Sequence, residues 1–127
     1  MTRVAVALLQ KDGKVLLCQR KKGSRYGLKW EFPGGKLEEG ESTLDCLRRE
    51  LREELSIEIQ NIDRIETHQA QYDDGAAFEV SYCFVSEFSG APWNNAFQEI
   101  RWVTLTELKV MDVLEGNRPF ITTLDRW

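Results

Sequence analysis

The apolar positions at the start of the chain predict two β-strands joined by a tight turn. Residues 4–9 alternate and then run apolar, and residues 15–18 form a second apolar run beyond Asp12 and Gly13. An Asp-Gly pair between two apolar runs is a strong hairpin signal, because glycine tolerates the positive φ angles of the turn. The Pro-Gly-Gly segment at residues 33–35 then breaks regular structure and permits unusual backbone angles.

The pattern changes to a helical period after this break. Ser42 is a suitable N-cap, and Asp45 three residues later completes a pattern that resembles a capping box. Leucines then recur at helical spacing and form one apolar stripe at Leu44, Leu47, Leu51 and Leu55. The sequence therefore predicts a helix that begins near Ser42 or Thr43 and buries one face.

The second half of the chain alternates again and predicts further strands. Residues 57–59 have a period of two, and the Asp-Asp-Gly segment at residues 73–75 predicts a second hairpin turn. One predicted strand carries alternating apolar side chains on one face, and its other face is also largely apolar. The alternating residues are Phe78, Val80, Tyr82 and Phe84. Such a strand is covered on both sides, so we expect an α/β fold with the sheet sandwiched between helices.

The end of the chain predicts one short strand and short helices. Residues 100–103 form the strand, and Thr104 or Thr106 can cap a helical turn after it. Residues 118–126 then predict a final helix.

Composition limits the class of protein. The 127 residues correspond to a single domain spanning residues 1–127, and the net charge of −4 argues against a partner that is polymeric nucleic acid. No apolar run is long enough to span a membrane. The cysteines Cys18, Cys46 and Cys83 are odd in number and lack metal-type spacing, so we expect reduced, buried thiols in a cytoplasmic protein.

The predicted helix carries three carboxylates at positions that share one face. Glu50, Glu53 and Glu54 are spaced i, i+3 and i+4, beside the leucine stripe, and like charges so placed repel each other. A divalent cation such as Mg²⁺ or Mn²⁺ would relieve the repulsion. Arg49 precedes Glu53 by four residues and can pair with it. The alternative is a solvated helix whose charges serve solubility alone, and the glycine-rich, acidic loop before the helix favours the metal site.

The spacing of these residues resembles the Nudix box. Gly35 is followed after five residues by Glu41, and after seven more by the segment at residues 49–57, which reads Arg-Glu-Leu-Arg-Glu-Glu-Leu-Ser-Ile. Ser56 stands where the family usually has glycine, at a site that often needs a left-handed backbone. The flanking segment at residues 30–36 is similar to the MutT branch of the family.

The resemblance implies a fold, a reaction and a cofactor. The fold is a Nudix-like α/β/α sandwich with a mixed β-sheet between helices. The reaction is MutT-like hydrolysis of a nucleoside triphosphate to the monophosphate plus pyrophosphate, with oxidised nucleotides such as 8-oxo-dGTP among the substrates. The cofactor is Mg²⁺, with Mn²⁺ as a substitute.

The resemblance also implies roles for individual residues. Glu50, Glu53 and Glu54 bind the metal together with the carbonyl of Gly34, and Glu50 or Glu53 takes a proton from the attacking water. Arg49 belongs to the same catalytic group. Glu99 is an outlying candidate for a further ligand or base, and an ordinary charged strand end is its alternative.

Substrate-binding residues are expected in the flanks of the box and near the end of the chain. They are Arg20, Arg25, Glu31, Phe32, Gly34, Gly35, Lys36 and Asn117. Arg20 and Arg25 would hold phosphates, and Phe32 would lie against the base, with a place in the core as its alternative. Asn117 could read a base edge because its amide both donates and accepts, and its alternative is a helix N-cap.

Two other functions remain open from the sequence. The first is a Nudix hydrolase of ADP-ribose, a dinucleotide or another nucleoside diphosphate derivative. The second is a non-catalytic nucleotide-binding module, which the complete set of box carboxylates disfavours. The apolar residues fit a monomer, and a homodimer remains open.

Overall fold

The computed structural model describes residues 1–127, and its strands form one mixed β-sheet. The strands are, in chain order, β1 (Thr2–Lys11), β2 (Lys14–Gln19), β3 (Trp30–Glu31), β4 (Gly34–Lys36), β5 (Arg64–Gln71), β6 (Ala77–Val85) and β7 (Glu99–Val103). The helices are α1 (Thr43–Leu55), α2 (Leu105–Val110) and α3 (Arg118–Thr123), with a 3₁₀ turn at Glu115–Asn117. None of these helices combines the length and the apolar character that a membrane span requires.

Strand β1 lies at the centre of the sheet and connects its two parts. It pairs in parallel with β6 over most of its length, antiparallel with β4 along its first half, and with β2 only beside their connecting turn. The sheet continues from β6 to β5 on one side, and from β2 to β3 and β7 on the other. The parallel pair among antiparallel ones makes the sheet mixed, as the sequence resemblance implied.

Both predicted hairpins are confirmed. Asp12 and Gly13 have φ angles of 53° and 77°, the left-handed values that a two-residue hairpin turn requires. In the second hairpin, the N–H of Tyr72 donates to the carbonyl of Ala76, and Gly75 has a φ of 88°.

The sheet separates two hydrophobic cores, because successive side chains of each strand point to opposite faces. In β1, Val6 and Leu8 pack towards α2 and α3, whereas Ala5, Ala7 and Leu9 pack towards α1. Strands β2 and β6 divide their side chains between the same two cores. The prediction of a sheet between helices is therefore confirmed.

Helix α1 forms where its capping residues and apolar stripe predict it. Ser42 is the N-cap: its Oγ accepts from the N–H of Asp45 at 3.0 Å, and the Asp45 carboxylate accepts from the N–H of Ser42 at 3.5 Å. The stripe of Leu47, Leu51 and Leu55 is fully buried against the sheet. This burial fixes the rotation of the helix and therefore the direction in which its glutamates project.

Three predictions of local structure need correction. Residues 57–59 do not form a strand: Ile57 and Ile59 are fully buried, but only one bridge, between Glu58 and Ser89, joins this segment to another. In an extended connection, as in a strand, every second side chain can point into the core, so both give the same apolar period of two in the sequence. The Pro-Gly-Gly segment interrupts regular structure only up to Pro33, because β4 begins at Gly34. The final helix, predicted over residues 118–126, ends at Thr123.

Candidate functional site

The glycine segment of β4 lies directly against β1 and α1. Gly34 has a φ of 150°, and a Cβ at this position would overlap the carbonyl oxygen of Ala5 and lie 2.7 Å from the Cα of Val6. A Cβ at Gly35 would overlap the carboxylate of Glu50, lying 2.5 Å from its Oε1. Glycine is therefore required at position 34 by backbone conformation and close approach, whereas a side chain at position 35 would displace the carboxylate of Glu50.

The predicted carboxylates of α1 share one face of the helix but differ in environment. The side chain of Glu50 is 16% exposed, and that of Glu53 is 62% exposed. Burial raises the pKa of Glu50, although Arg49 opposes the shift. Burial, and next the charge of Glu50, raise the pKa of Glu54 to about 8.

Glu54 is a partly buried carboxylate without a cationic partner. Its Oε1 accepts from the N–H of Gly34 at 3.0 Å, and this is its only side-chain hydrogen bond. Glu54 therefore retains acceptor capacity next to Glu50, where a cation would stabilise both charges.

Arg49 connects the glycine segment, the loop before α1 and the helix itself. Its guanidinium binds both carboxylate oxygens of Glu41, at 2.8 and 2.9 Å, and donates to Glu50 at 2.8 Å and to the carbonyl of Lys36 at 3.1 Å. Its distance to Glu53, the partner expected from the sequence, is 3.8 Å. These contacts lower the pKa of Glu41 to about 2 and hold Glu50 in place.

These residues fit a divalent cation by their donor chemistry. The carboxylates of Glu50, Glu53 and Glu54 are hard oxygen donors, and two of them are buried enough for their ionised forms to be disfavoured without a cation. No three acidic, histidine or cysteine side chains are already arranged as a set of ligands. The assignment of these three glutamates as metal ligands stays a prediction.

A cavity of about 270 Å³ lies beside Glu54, the one of the three helix carboxylates that lines it. Charged residues, glycines and apolar side chains of the sheet line it together. They include Arg20, Arg25, Glu31, Phe32, Gly34, Gly35, Lys36, Glu54 and Asn117, with Val4, Val6, Phe78 and Val80 from β1 and β6. Every substrate-binding residue predicted from the sequence thus lines this cavity.

Two predicted phosphate-binding arginines have different environments. Arg20 lies 3.2 Å from the carboxylate of Glu31, whose pKa is raised by burial, with Arg20 opposing the shift. Arg25 binds Asp74 at 2.8 Å, in the turn between β5 and β6. Each guanidinium already has a carboxylate partner. A bound phosphate would therefore either share the guanidinium with that carboxylate or displace the carboxylate.

Asn117 is buried at the wall of the cavity. Its Nδ2 donates to the hydroxyl of Tyr82 at 2.8 Å, and only 6% of the residue is exposed. Although it is the N-cap residue of α3, its side chain makes no capping hydrogen bond. The amide oxygen has no protein partner and is not fully enclosed, so it is available to a ligand in the cavity.

Phe32 belongs to the core, which was the alternative expected for it. It is 1% exposed, and its ring makes edge contacts with Tyr82 and Phe120. It also lines the cavity, so its position is compatible with contact to a ligand at one edge.

Glu99, the outlying predicted ligand, begins β7 and does not line the cavity. It pairs with Gln19, which in turn pairs with Trp30, so these side chains share the face of the sheet opposite α1. Its carboxylate binds Arg101 at 2.7 Å and is 46% exposed. Val6 and Val80, which line the cavity, lie on this same face of the sheet, and the role of Glu99 as a further ligand or base stays a prediction.

Sequence reasoning did not identify an aromatic pair at the cavity. Tyr26 and Tyr72 both line it, and their rings stack with centroids 4.7 Å apart. The hydroxyl of Tyr26 also donates to Asp74 at 2.7 Å. No periodicity or motif links these positions, because the contact depends on how two loops meet across the sheet.

Comparison with known proteins agrees with the geometry. The NUDIX domain model matches residues 1–124. A CTP pyrophosphohydrolase of Escherichia coli (strain K12) is 36% identical over 121 residues, covering 95% of this chain and 89% of the relative. An 8-oxo-dGTP diphosphatase of the same organism is 29% identical over 125 residues, covering 98% of this chain and 96% of the relative.

Solved structures share the fold over nearly the whole length. The solution structure of the E. coli ORF135 protein matches with a TM-score of 0.83 and 32% identity, covering 96% of this chain and 86% of that one. The crystal structure of a MutT NUDIX hydrolase from Burkholderia pseudomallei matches with a TM-score of 0.80 at 23% identity, with 97% of both chains covered. Taken with the box on β4 and α1, these matches show that the chain belongs to the Nudix hydrolase family.

Proposed function

We propose that the protein hydrolyses a nucleoside triphosphate to the monophosphate and pyrophosphate, as MutT-like enzymes do. The observation that carries this proposal is the single cavity of about 270 Å³ that Glu54 and Asn117 line together. A base can lie at the amide while its phosphates reach the carboxylates. The names of two relatives, a CTP pyrophosphohydrolase and an 8-oxo-dGTP diphosphatase, support the same class of substrate.

In this proposal the cofactor is Mg²⁺, which Mn²⁺ can replace, held by Glu50, Glu53, Glu54 and the carbonyl of Gly34. When bound, the metal would neutralise the charge of the polyphosphate and the charge that develops on the bridging and leaving oxygens. The raised pKa values of Glu50 and Glu54 support this choice, because a bound cation would stabilise carboxylates whose ionised forms are otherwise unfavourable.

The protein side chains would position the substrate and take one proton. Water attacks phosphorus, the bond to the bridging oxygen between the monophosphate and the pyrophosphate breaks, and Glu50 or Glu53 accepts the water proton. Glu53 is the more exposed of the two and can reach solvent, whereas Glu50 is held by Arg49 at 2.8 Å. Arg20 would bind a phosphate oxygen at the entrance, sharing its charge with Glu31.

Asn117 would recognise the base edge. Its amide oxygen accepts, and the second hydrogen of Nδ2 remains to donate once the first is bound to Tyr82. An amide with both functions suits either a cytosine or an oxidised guanine, so the base is left to the experiment.

We further propose a monomer that acts on free nucleotides in a reducing compartment such as the cytoplasm. Cys18, Cys46 and Cys83 are buried free thiols, which a reducing compartment keeps reduced.

A panel of substrates tests the proposal. Common and oxidised triphosphates, ADP-ribose and a dinucleotide are incubated with Mg²⁺ or Mn²⁺, and the products are separated by chromatography. We expect monophosphate plus pyrophosphate from a triphosphate, and loss of activity by about a hundredfold or more in Glu53→Gln. Glu39→Gln is the matched control, because Glu39 is exposed and lies outside the site.

Two outcomes would overturn the proposal. Cleavage of ADP-ribose or the dinucleotide, with every triphosphate left intact, would assign the protein to another substrate class of the family. Metal-dependent binding of nucleotides without any product would indicate a binding module.

A further inference from the structure

The end of α1 has an unusual backbone conformation for its residue. Ser56 has φ and ψ of 56° and 35°, in the left-handed region, and its N–H donates to the carbonyl of Arg52 at 3.1 Å. A residue other than glycine adopts this conformation at a cost of about 1 kcal/mol. Glu53 and Glu54 lie in the last turn of α1, directly before this residue, so its conformation is set next to the proposed metal-binding glutamates.

A loop between β6 and β7 binds this end of the helix through Asn95. Its Nδ2 donates to the Oγ of Ser56 at 2.8 Å and to the carbonyl of Glu53 at 3.2 Å. Its backbone N–H donates to the carbonyl of Glu54 at 3.0 Å, and the N–H of Trp93 donates to the carbonyl of Leu55 at 2.9 Å. The last carbonyls of the helix, which lack partners within it, are thus bound by the loop.

The loop has an internal anchor that keeps Asn95 in place. The Oδ1 of Asn94 accepts from the N–H of Phe97 at 2.8 Å, and its Nδ2 donates to the carbonyl of the same residue at 2.8 Å. Phe97 is buried in the core that contains α1. The indole of Trp93 is 71% exposed, so the backbone and the asparagines, rather than this large side chain, hold the loop.

We propose that Asn95 is a positioning residue that compensates for Ser56 and orients Glu53 and Glu54. It touches the backbone of the two glutamates and not their carboxylates, so it acts through them. Its hydrogen bond to Ser56 stabilises a serine in a conformation that glycine adopts without strain. This inference rests on the proposed metal-dependent function, and it adds a residue outside the box pattern to the site.

The test measures Mn²⁺ binding by calorimetry together with kcat and KM. We expect Asn95→Ala to raise the Kd for Mn²⁺ by about tenfold and to lower kcat by a similar factor, with KM for the triphosphate nearly unchanged. Ser56→Gly in the Asn95→Ala background should restore most of the Mn²⁺ affinity, because glycine does not need the anchor. Asn61→Ala is the matched control, since Asn61 is exposed and its side chain makes no hydrogen bond.

Ser56→Ala gives a milder form of the same test, should Asn95→Ala fail to fold. It removes only the hydroxyl that Asn95 binds and leaves the other contacts of the loop, so we expect a smaller loss of Mn²⁺ affinity in the same direction. Unchanged Mn²⁺ affinity in both Asn95→Ala and Ser56→Ala would overturn the proposal. So would a double variant with Ser56→Gly that recovers nothing.

The binding measurement separates this inference from the proposed function. If the wild-type protein binds Mn²⁺ but hydrolyses no triphosphate, the proposed function fails, and the affinities of the variants still decide whether Asn95 positions the ligands.

Discussion

The carboxylate of Glu50 lies directly against the Cα of Gly35, so closely that a Cβ on Gly35 would be 2.5 Å from Oε1 and 2.8 Å from Oε2. The two residues belong to different elements, β4 and α1. The absence of a side chain at Gly35 therefore determines where the carboxylate of Glu50 can be, and through it the arrangement of the proposed metal site.

Gly35→Ala should disable the enzyme while leaving it folded. The added methyl group displaces Glu50, and an error of about 1 Å in a reacting group can cost about a hundredfold in rate. The measurement is kcat for the triphosphate, with circular dichroism to verify the fold. Gly40→Ala is the control: a Cβ there meets no atom within 4 Å, so its cost comes from the φ of 81° and not from contact with a carboxylate. Equal activity of the two variants would contradict the prediction.

Arg49→Lys should lower kcat by about tenfold or more with a small effect on KM. Lysine cannot bind both oxygens of Glu41 and also Glu50, as the planar guanidinium does. Arg52→Lys is a matched control, because Arg52 makes a similar two-point contact with Glu58 on the surface. The idea is untenable if both substitutions change kcat to the same extent.

Tyr82→Phe should weaken substrate binding through Asn117. The variant keeps the ring stacked on Phe120 but removes the hydroxyl that accepts from the Asn117 amide. Loss of one such hydrogen bond corresponds to a rise in KM of about fivefold, with kcat nearly constant. The check is a double-mutant cycle: in the Asn117→Ala background the same change should have no further effect. Additive effects would show that Tyr82 does not act through Asn117.

The stability of the metal-free protein should fall as the pH rises from about 5 to 8 because of Glu54. Its pKa is raised from 4.5 to about 8, so in this range the folded state retains a proton that the unfolded chain has lost, and folding is penalised. Glu54→Gln removes this dependence. The free energy of unfolding of Glu54→Gln, taken relative to that of the wild type, should therefore increase by about 1 kcal/mol or more as the pH rises over this range. The measurement is urea unfolding with a chelator present.

Binding of Mg²⁺ at pH 7 should then release a proton from the same group. Calorimetry in two buffers of different ionisation enthalpy measures the release, and Glu54→Gln should lack it. A wild-type protein that releases no proton below pH 8 would contradict the assignment of the raised pKa to Glu54.

Local sequence determined the helix that carries the carboxylates. The capping box of Ser42 and Asp45, the leucine stripe and the i, i+3, i+4 spacing of the glutamates depend on neighbours within a few residues. The hairpin turn at Asp12 and Gly13 is local for the same reason. These features could be read from the chain because the interactions that stabilise them are close in sequence.

Tertiary structure decided which distant residues join that helix at the site. Asn117 meets Tyr82 across 35 positions, and Asn95 meets Ser56 across 39, through contacts that no local pattern encodes. The register of β7 with β2 places Glu99 on the face of the sheet opposite α1, the face that also carries the cavity-lining residues Val6 and Val80. Which face of a strand a side chain occupies depends on the register with its neighbours, and register is set by the packing of the whole sheet.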